Sequence, residues 1–137
     1  MVGLAEYARI ELRRIRDVLD VDHASLHLRD PDDPRRAVAV AEAGRPIGDL
    51  LAGHAGVVAR VLRTGRVEEL HELGETTCAA LATPLEHDGR TFGTLLIVTL
   101  RRNRRLGATE AQVIGRATET LVERIGPTGR FGRGVRR

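Results

Sequence analysis

The sequence of 137 residues has no lysine and no tryptophan, one cysteine, one tyrosine and two phenylalanines. Each scarcity excludes something. A single thiol, Cys78, cannot build an internal disulfide framework, and it suits a reducing compartment such as the cytoplasm. An aromatic content of 2% argues against binding single-stranded nucleic acid by base stacking, which needs exposed aromatic platforms. All 22 basic residues are arginine, which reads as GC-rich coding rather than chemistry. No apolar run approaches the roughly 18 residues that cross a bilayer. The N-terminus, MVGLAEYARIELRRIRD, lacks the unbroken apolar stretch of a secretory signal. A cytoplasmic location without a membrane partner is therefore expected. There is no Gly-x-Ser-x-Gly, no phosphate loop and no paired-carboxylate spacing; Asp32-Asp33 lies between prolines in a turn. The expectation is a protein without catalytic residues, not an enzyme.

What is present is an ordinary globular balance, 42% hydrophobic and 30% charged, enough for one core. Residues 1–127 read as a single domain. Residues 128–137, TGRFGRGVRR, read as a disordered Arg/Gly-rich tail. The net charge of +3 is unevenly spread: residues 1–100 carry a net −4 and residues 101–137 a net +7. Arg101, Arg102, Arg104 and Arg105, with Arg130, Arg133, Arg136 and Arg137 in the tail, form a basic patch. It reads either as a solvated loop and tail, or as an anion-binding surface for nucleic acid or an acidic protein. No helix-turn-helix or RNA-binding motif accompanies it.

The stretch Thr77–Leu100 organises the chain. Two apolar runs flank His87-Asp88-Gly89-Arg90, and Asp-Gly between β-favouring runs predicts a hairpin. Both runs are apolar on both faces, as middle strands of a covered sheet should be. Residues 3–20 predict an amphipathic helix, with Leu4, Ala8, Leu12, Ile15 and Leu19 on one face and Val18 at its border. Glu11 falls inside that arc, as an edge carboxylate or as a register-fixing residue at a helix seam. Asp22–Asp30 alternates, with Ala24, Leu26 and Leu28 opposite His23, Ser25, His27 and Arg29, which predicts a half-buried strand. A second strand follows over Ala37–Ala43. Asp49–Thr64 has a helical pattern weakened by Gly53 and Gly56 and stopped by Gly65. Val67–Leu70 reads as a short strand and His71–Thr77 as a loop. Thr109, with Gln112 three residues on, reads as the N-cap of one final helix ending at Gly126-Pro127, its stripe including Leu121. The fold class is α+β: a central antiparallel β-sheet of five or six strands, terminal helices on one face and a helical crossover on the other.

Three stretches resemble the GAF domain, a small-molecule sensory module related to PAS. They are DHASLHLRD, GHAGVVARVLRTGRVEEL, and LATPLEHDGRTFGTLLIVTL with Pro84-Leu85, Gly89 and Gly93; the match spans about residues 2–125. The resemblance implies a bacterial regulatory domain that binds a small molecule in a pocket on the crossover face. It also implies a homodimer through the terminal helices (Leu4, Glu11, Leu12, Ile15, Leu121) and a separate output protein. Without lysine, the Asn-Lys…Phe…Asp-Glu signature of cyclic-nucleotide-binding members is absent. Cys78 is followed by alanines rather than the histidine of bilin-binding members. One cysteine cannot complete the thiol cycle of methionine sulfoxide reductase members. His71 lies roughly where haem-binding members place a ligand.

The expected pocket residues are His54, Val58, His71, Cys78, Ala80 and Ala82. The alanines leave room above a central strand, which either a close-packed helix or a ligand fills. His54, His71 and Cys78 together would make a soft donor set, although their spacing matches no known zinc pattern; no metal or cofactor is assigned. His23 and His27 lie about 13 Å apart at ~3.3 Å per residue, too far to chelate one ion, and line a polar sheet face. His87 falls in the turn. The alternative function is a non-catalytic dimeric scaffold with a degenerate pocket, binding an acidic partner or nucleic acid through its Arg-rich loop and tail.

Overall fold

The computed structural model describes residues 3–46, 56–73, 78–101 and 104–125. Helix α1 (Leu4–Leu19) leads into strands β1 (His23–Arg29) and β2 (Ala37–Gly44). Helix α2 (Val57–Thr64) and strand β3 (Glu68–Leu73) follow, then β4 (Cys78–His87) and β5 (Arg90–Thr99), and the helices α3 (Ala108–Ala117) and α4 (Glu119–Ile125). The sheet order is β2-β1-β5-β4-β3, every neighbouring pair antiparallel.

The hairpin forms where the sequence predicts it. His87 pairs with Arg90, leaving the two-residue loop Asp88-Gly89 with φ of 54° and 77°. Both loop residues at positive φ is the geometry that matches the twist of the flanking strands. On one face α1, α3 and α4 bury Ala8, Leu12, Ile15, Leu19, Ile114 and Leu121 against Leu26, Leu81, Leu95 and Ile97. On the other, Val57, Val58 and Val61 of α2 pack on Ala80, Ala82, Leu96 and Val98. β5 therefore carries large apolar side chains on both faces, as a strand covered twice must. The terminal helices lie side by side, and the Arg124 guanidinium sits 4.3 Å above the centre of the Tyr7 ring.

Four details differ from the sequence reading. β1 is covered on both faces rather than half-buried: His23 and Ser25 are as buried as Leu26. Backbone pairing with β4 carries β3 on to Leu73, past the expected end at Leu70, with an irregularity after His71. The last helix breaks at Thr118, whose buried hydroxyl donates to Ile114 O at 2.7 Å, a local bond that competes with the helix ladder and bends it. α3 begins before Thr109: Gly107 is the N-cap, and its N–H donates to Glu110 Oε1 at 2.8 Å. The expected helix from Asp49 is described only over Val57–Thr64, capped by Gly65 at φ 70°; residues 49–55 and the tail after Ile125 lie outside the described residues.

Gly93 pairs with Leu28 of β1, where a side chain has no room. A Cβ there would lie 2.7 Å from Leu28 Cδ2 and 2.9 Å from His27 O. The carbonyl belongs to the backbone and has nowhere to retreat without disturbing the β1–β5 ladder. Gly93→Ala is accordingly expected to destabilise the fold by about 2 kcal/mol, read as a lower denaturation midpoint at unchanged m-value.

Candidate functional site

The face of the sheet under α2 divides into an apolar and a polar half. Over β4 and β5 the α2 valines close on Ala80, Ala82, Leu96 and Val98, with Leu70 at the edge. Thr94 Oγ1 donates to Val58 O at 3.1 Å, which anchors the helix to the central strand. Arg60 grips Glu68 with two bonds of 2.6 and 2.7 Å and ties α2 to β3. That hydrogen-bonded fork holds the Glu68 carboxyl below its ordinary range.

The polar half belongs to β1. In register with Val98, Leu96 and Thr94 of β5 stand His23, Ser25 and His27. Side chains paired in this way share a face. His23 is 1% exposed. Its Nδ1 lies 2.8 Å from Arg45 O, and its Nε2 is buried without a hydrogen-bond partner among the described residues. Leaving such a group unpaired costs about 1–3 kcal/mol. Ser25 Oγ lies 2.8 Å from His27 Nε2. Burial, aided by the neighbouring His23, pushes His27 down to about 4 from its ordinary 6.5. Near neutral pH this ring is uncharged, with one nitrogen a donor and the other an acceptor.

The residues expected to line a pocket are only partly brought together. Val58, Ala80 and Ala82 meet, but they pack on one another; a helix fills the room above the alanines. His71 is paired with Ala79, whose side chain faces the terminal helices, so His71 points away from α2. Its Nε2 lies 3.4 Å from an Arg105 nitrogen and 3.6 Å from Glu69 Oε1. His71 therefore does not join the α2 face, because strand alternation sends it through the sheet. Cys78 opens β4 opposite Leu73; His54 lies outside the described residues. His87 ends β4, half-buried, 3.3 Å from Asp88 Oδ2. His23, Ser25 and His27 are the buried polar group on this face. Their alternation was legible, but period two alone does not tell a solvated face from a covered one.

The other assignments change too. Leu12, Ile15 and Leu121 are 0% exposed within a single chain, so they are used up between helices and sheet and cannot face a second copy. Leu4 packs against the same core. Glu11 is buried among them, with Arg14 at 3.4 Å. The apolar side chains that α1 leaves exposed are Ile10 and Val18, the latter 70% exposed. Within the basic loop, Arg104 donates to Leu19 O and Asp20 O, and Arg101 to the Asp20 carboxylate. These cations neutralise the C-terminal carbonyls of α1, worth roughly 1 kcal/mol, rather than standing free for an acidic partner. Arg102 lies outside the described residues.

The family model described as "GAF domain" matches residues 3–125. The chain belongs to the GAF family. Solved structures share the architecture. The GAF domain of a phosphoenolpyruvate-protein phosphotransferase from Coxiella burnetii aligns at 20% identity and a TM-score of 0.70, over 93% of this chain and 84% of that one. A GAF domain/HD domain protein from Geobacter sulfurreducens aligns at 14% identity and 0.71, over 97% and 99%. The second GAF domain of DevS from Mycobacterium smegmatis aligns at 15% and 0.67, over 92% and 96%. No curated protein matches the sequence. GAF is a sensory and regulatory fold whose members are generally non-catalytic. In this GAF domain no helix among the described residues is long and apolar enough to cross a membrane.

His27 makes the domain acid-sensitive. Its folded value lies below the unfolded one, so the unfolded chain takes up a proton first as the pH falls. The contribution is complete above about pH 6.5 and is lost between there and about pH 4, near 1.4 kcal/mol per pH unit. Between pH 8 and pH 5 wild-type stability is expected to fall by about 2 kcal/mol from this group. Denaturant titrations at the two pH values should show that share missing in His27→Gln.

Proposed function

We propose that this GAF domain is a regulatory module that binds a small molecule on the face of the sheet under α2 and signals through a homodimer to a separate output protein. The observation that carries the reading is the polar line of the buried His23 and Ser25 and the half-buried His27, ending in the unpartnered His23 Nε2. Buried polar groups in native proteins have partners, and a buried ring nitrogen without one is the kind of group that a ligand supplies with a partner. This reading puts the ligand beside β1 and its seam with β5 rather than over Ala80 and Ala82, where α2 packs tightly. That packing favours the scaffold reading for the β4 half of the face alone. Arg101 and Arg104, which the scaffold reading needs as free cations, are bound to the end of α1.

The dimer would use the outer face of α1, around Ile10 and Val18, instead of the residues spent in the core. Protein purified from cells is expected to carry a small non-covalent mass in native mass spectrometry that disappears on denaturation. A bare polypeptide mass from several growth conditions would count against ligand binding. Sedimentation should give a dimer for the wild type and a monomer for Val18→Glu; a monomeric wild type would remove the dimer from the proposal.

A further inference from the structure

A groove of about 1060 Å³ lies where the β4–β5 turn, the last turn of α2 and the β1–β2 connection meet. It is separate from the site beside His23. Arg29, which lines it, stands at the opposite end of the seven-residue strand β1, about 20 Å from His23 at ~3.3 Å per residue. The three walls are tied to one another. Arg29 donates through Nη1 to Pro34 O at 2.7 Å and through Nη2 to Thr91 O at 3.1 Å, which joins the β1–β2 connection to β5. Gly65, the cap of α2, comes so close to the hairpin that a Cβ there would lie 3.0 Å from Thr91 Oγ1 and 3.2 Å from Glu86 Oε2. The groove is therefore shaped before anything enters it, which spares a ligand the cost of ordering it.

Each wall supplies a guanidinium. Arg29 comes from the end of β1, Arg63 from the last turn of α2 and Arg90 from the first residue of β5. Glu86 and Asp88 line the groove as well, but each carboxylate has a partner of its own. Glu86 accepts from Thr91 Oγ1 at 3.4 Å, and Asp88, its side chain 86% exposed, lies 3.3 Å from His87 Nε2. The partners of Arg29 are carbonyls, which are neutral, so its charge is not cancelled. The carbonyl end of α2 borders the groove, and Arg63 in that turn offsets its partial negative charge. A guanidinium presents a planar fork of N–H donors that fits carboxylate or phosphate oxygens two bonds at a time. Three such forks around one groove suit an oxyanion carrying more than one charge. A groove bounded by three elements, at the upper end of the size range of small-molecule sites, suits a compact molecule rather than an extended polymer.

We propose that this groove is a second ligand site, for a small organic anion whose phosphate or carboxylate groups are held by Arg29, Arg63 and Arg90. The probes are ribose 5-phosphate, citrate and uncharged ribose, each titrated at pH 7 and low salt into the full chain labelled with 15N. Ribose 5-phosphate or citrate is expected to move the amides of Gly65, Gly89 and Thr91, and the tighter of the two identifies phosphate or carboxylate as the group recognised. Ribose should move none of them. Arg63→Gln and Arg90→Gln each remove one fork from an exposed side chain, and each should weaken the binding by roughly fivefold, the upper range for an exposed charge contact. Arg13→Gln removes the same charge from the exposed side of α1, across the sheet, and should leave the binding unchanged. The two groove variants are independent, so loss of the fold in one leaves the other as the test. No shift at these amides with either anion would overturn the site. Equal binding of ribose, or the same loss in Arg13→Gln as in the groove variants, would overturn recognition of the anion by these arginines.

Discussion

Two consecutive residues at positive φ, Asp88 and Gly89, fix the register on which both faces of this sheet depend. They allow a loop of two residues, which sets His87 against Arg90 and Glu86 against Thr91. A shift by one residue would exchange the faces. Leu81, Leu95 and Ile97 would turn toward the short helix α2, and Ala80 and Ala82 would leave voids under α1, α3 and α4. The irregularity between Leu85 and Glu86 adds one residue, Phe92, on β5 and sets the register of the ladder beyond it, from Leu85 against Gly93 onward. The pairing of β1 with β5 then puts His23, Ser25 and His27 on the same face as Val98, Leu96 and Thr94.

Much of this was legible in the residues. Asp-Gly announced the hairpin, the spacing of Ala8, Leu12, Ile15 and Leu19 announced α1 and its buried stripe, and Gly65 announced the end of α2. What could not be read was depth. Alternation in β1 showed that the histidines share a face, but only the order β2-β1-β5-β4-β3 shows that β1 is internal and that this face is covered. His71 was misplaced for a related reason. It is near Cys78 and Ala80 in sequence, yet the pairing of β3 with β4 puts it beside Ala79 and through the sheet. Thr118 is another residue whose effect is local and conditional. A threonine in a helix can bond back to the preceding turn or point to solvent, and which it does here depends on its burial, a tertiary fact.

The absence of lysine also carries more than a coding preference. Arg60 reaches both oxygens of Glu68, and Arg104 reaches two successive carbonyls, Leu19 O and Asp20 O. Each use exploits the planar fork of the guanidinium, which a single ammonium centre does not reproduce. The likeness to solved GAF domains, at 20% identity and below among the structures compared, fixes the scaffold.

The end of α1 is where that scaffold has a mechanical character. Asp22 Oδ2 accepts the Leu100 N–H at 2.6 Å, the Asp22 N–H donates to Val98 O at 2.9 Å, and Arg101 and Arg104 close over Leu19 and Asp20. All four attachments run to the last residues of β5 or to the loop just after it. The helix is thus pinned at one end to the central strand and held elsewhere by side-chain packing. Any tilt of α1 would therefore turn about a pivot near Asp20. Over the ~24 Å of a 16-residue helix, at ~1.5 Å per residue, a tilt of a few degrees at that pivot becomes an ångström or more at the far end.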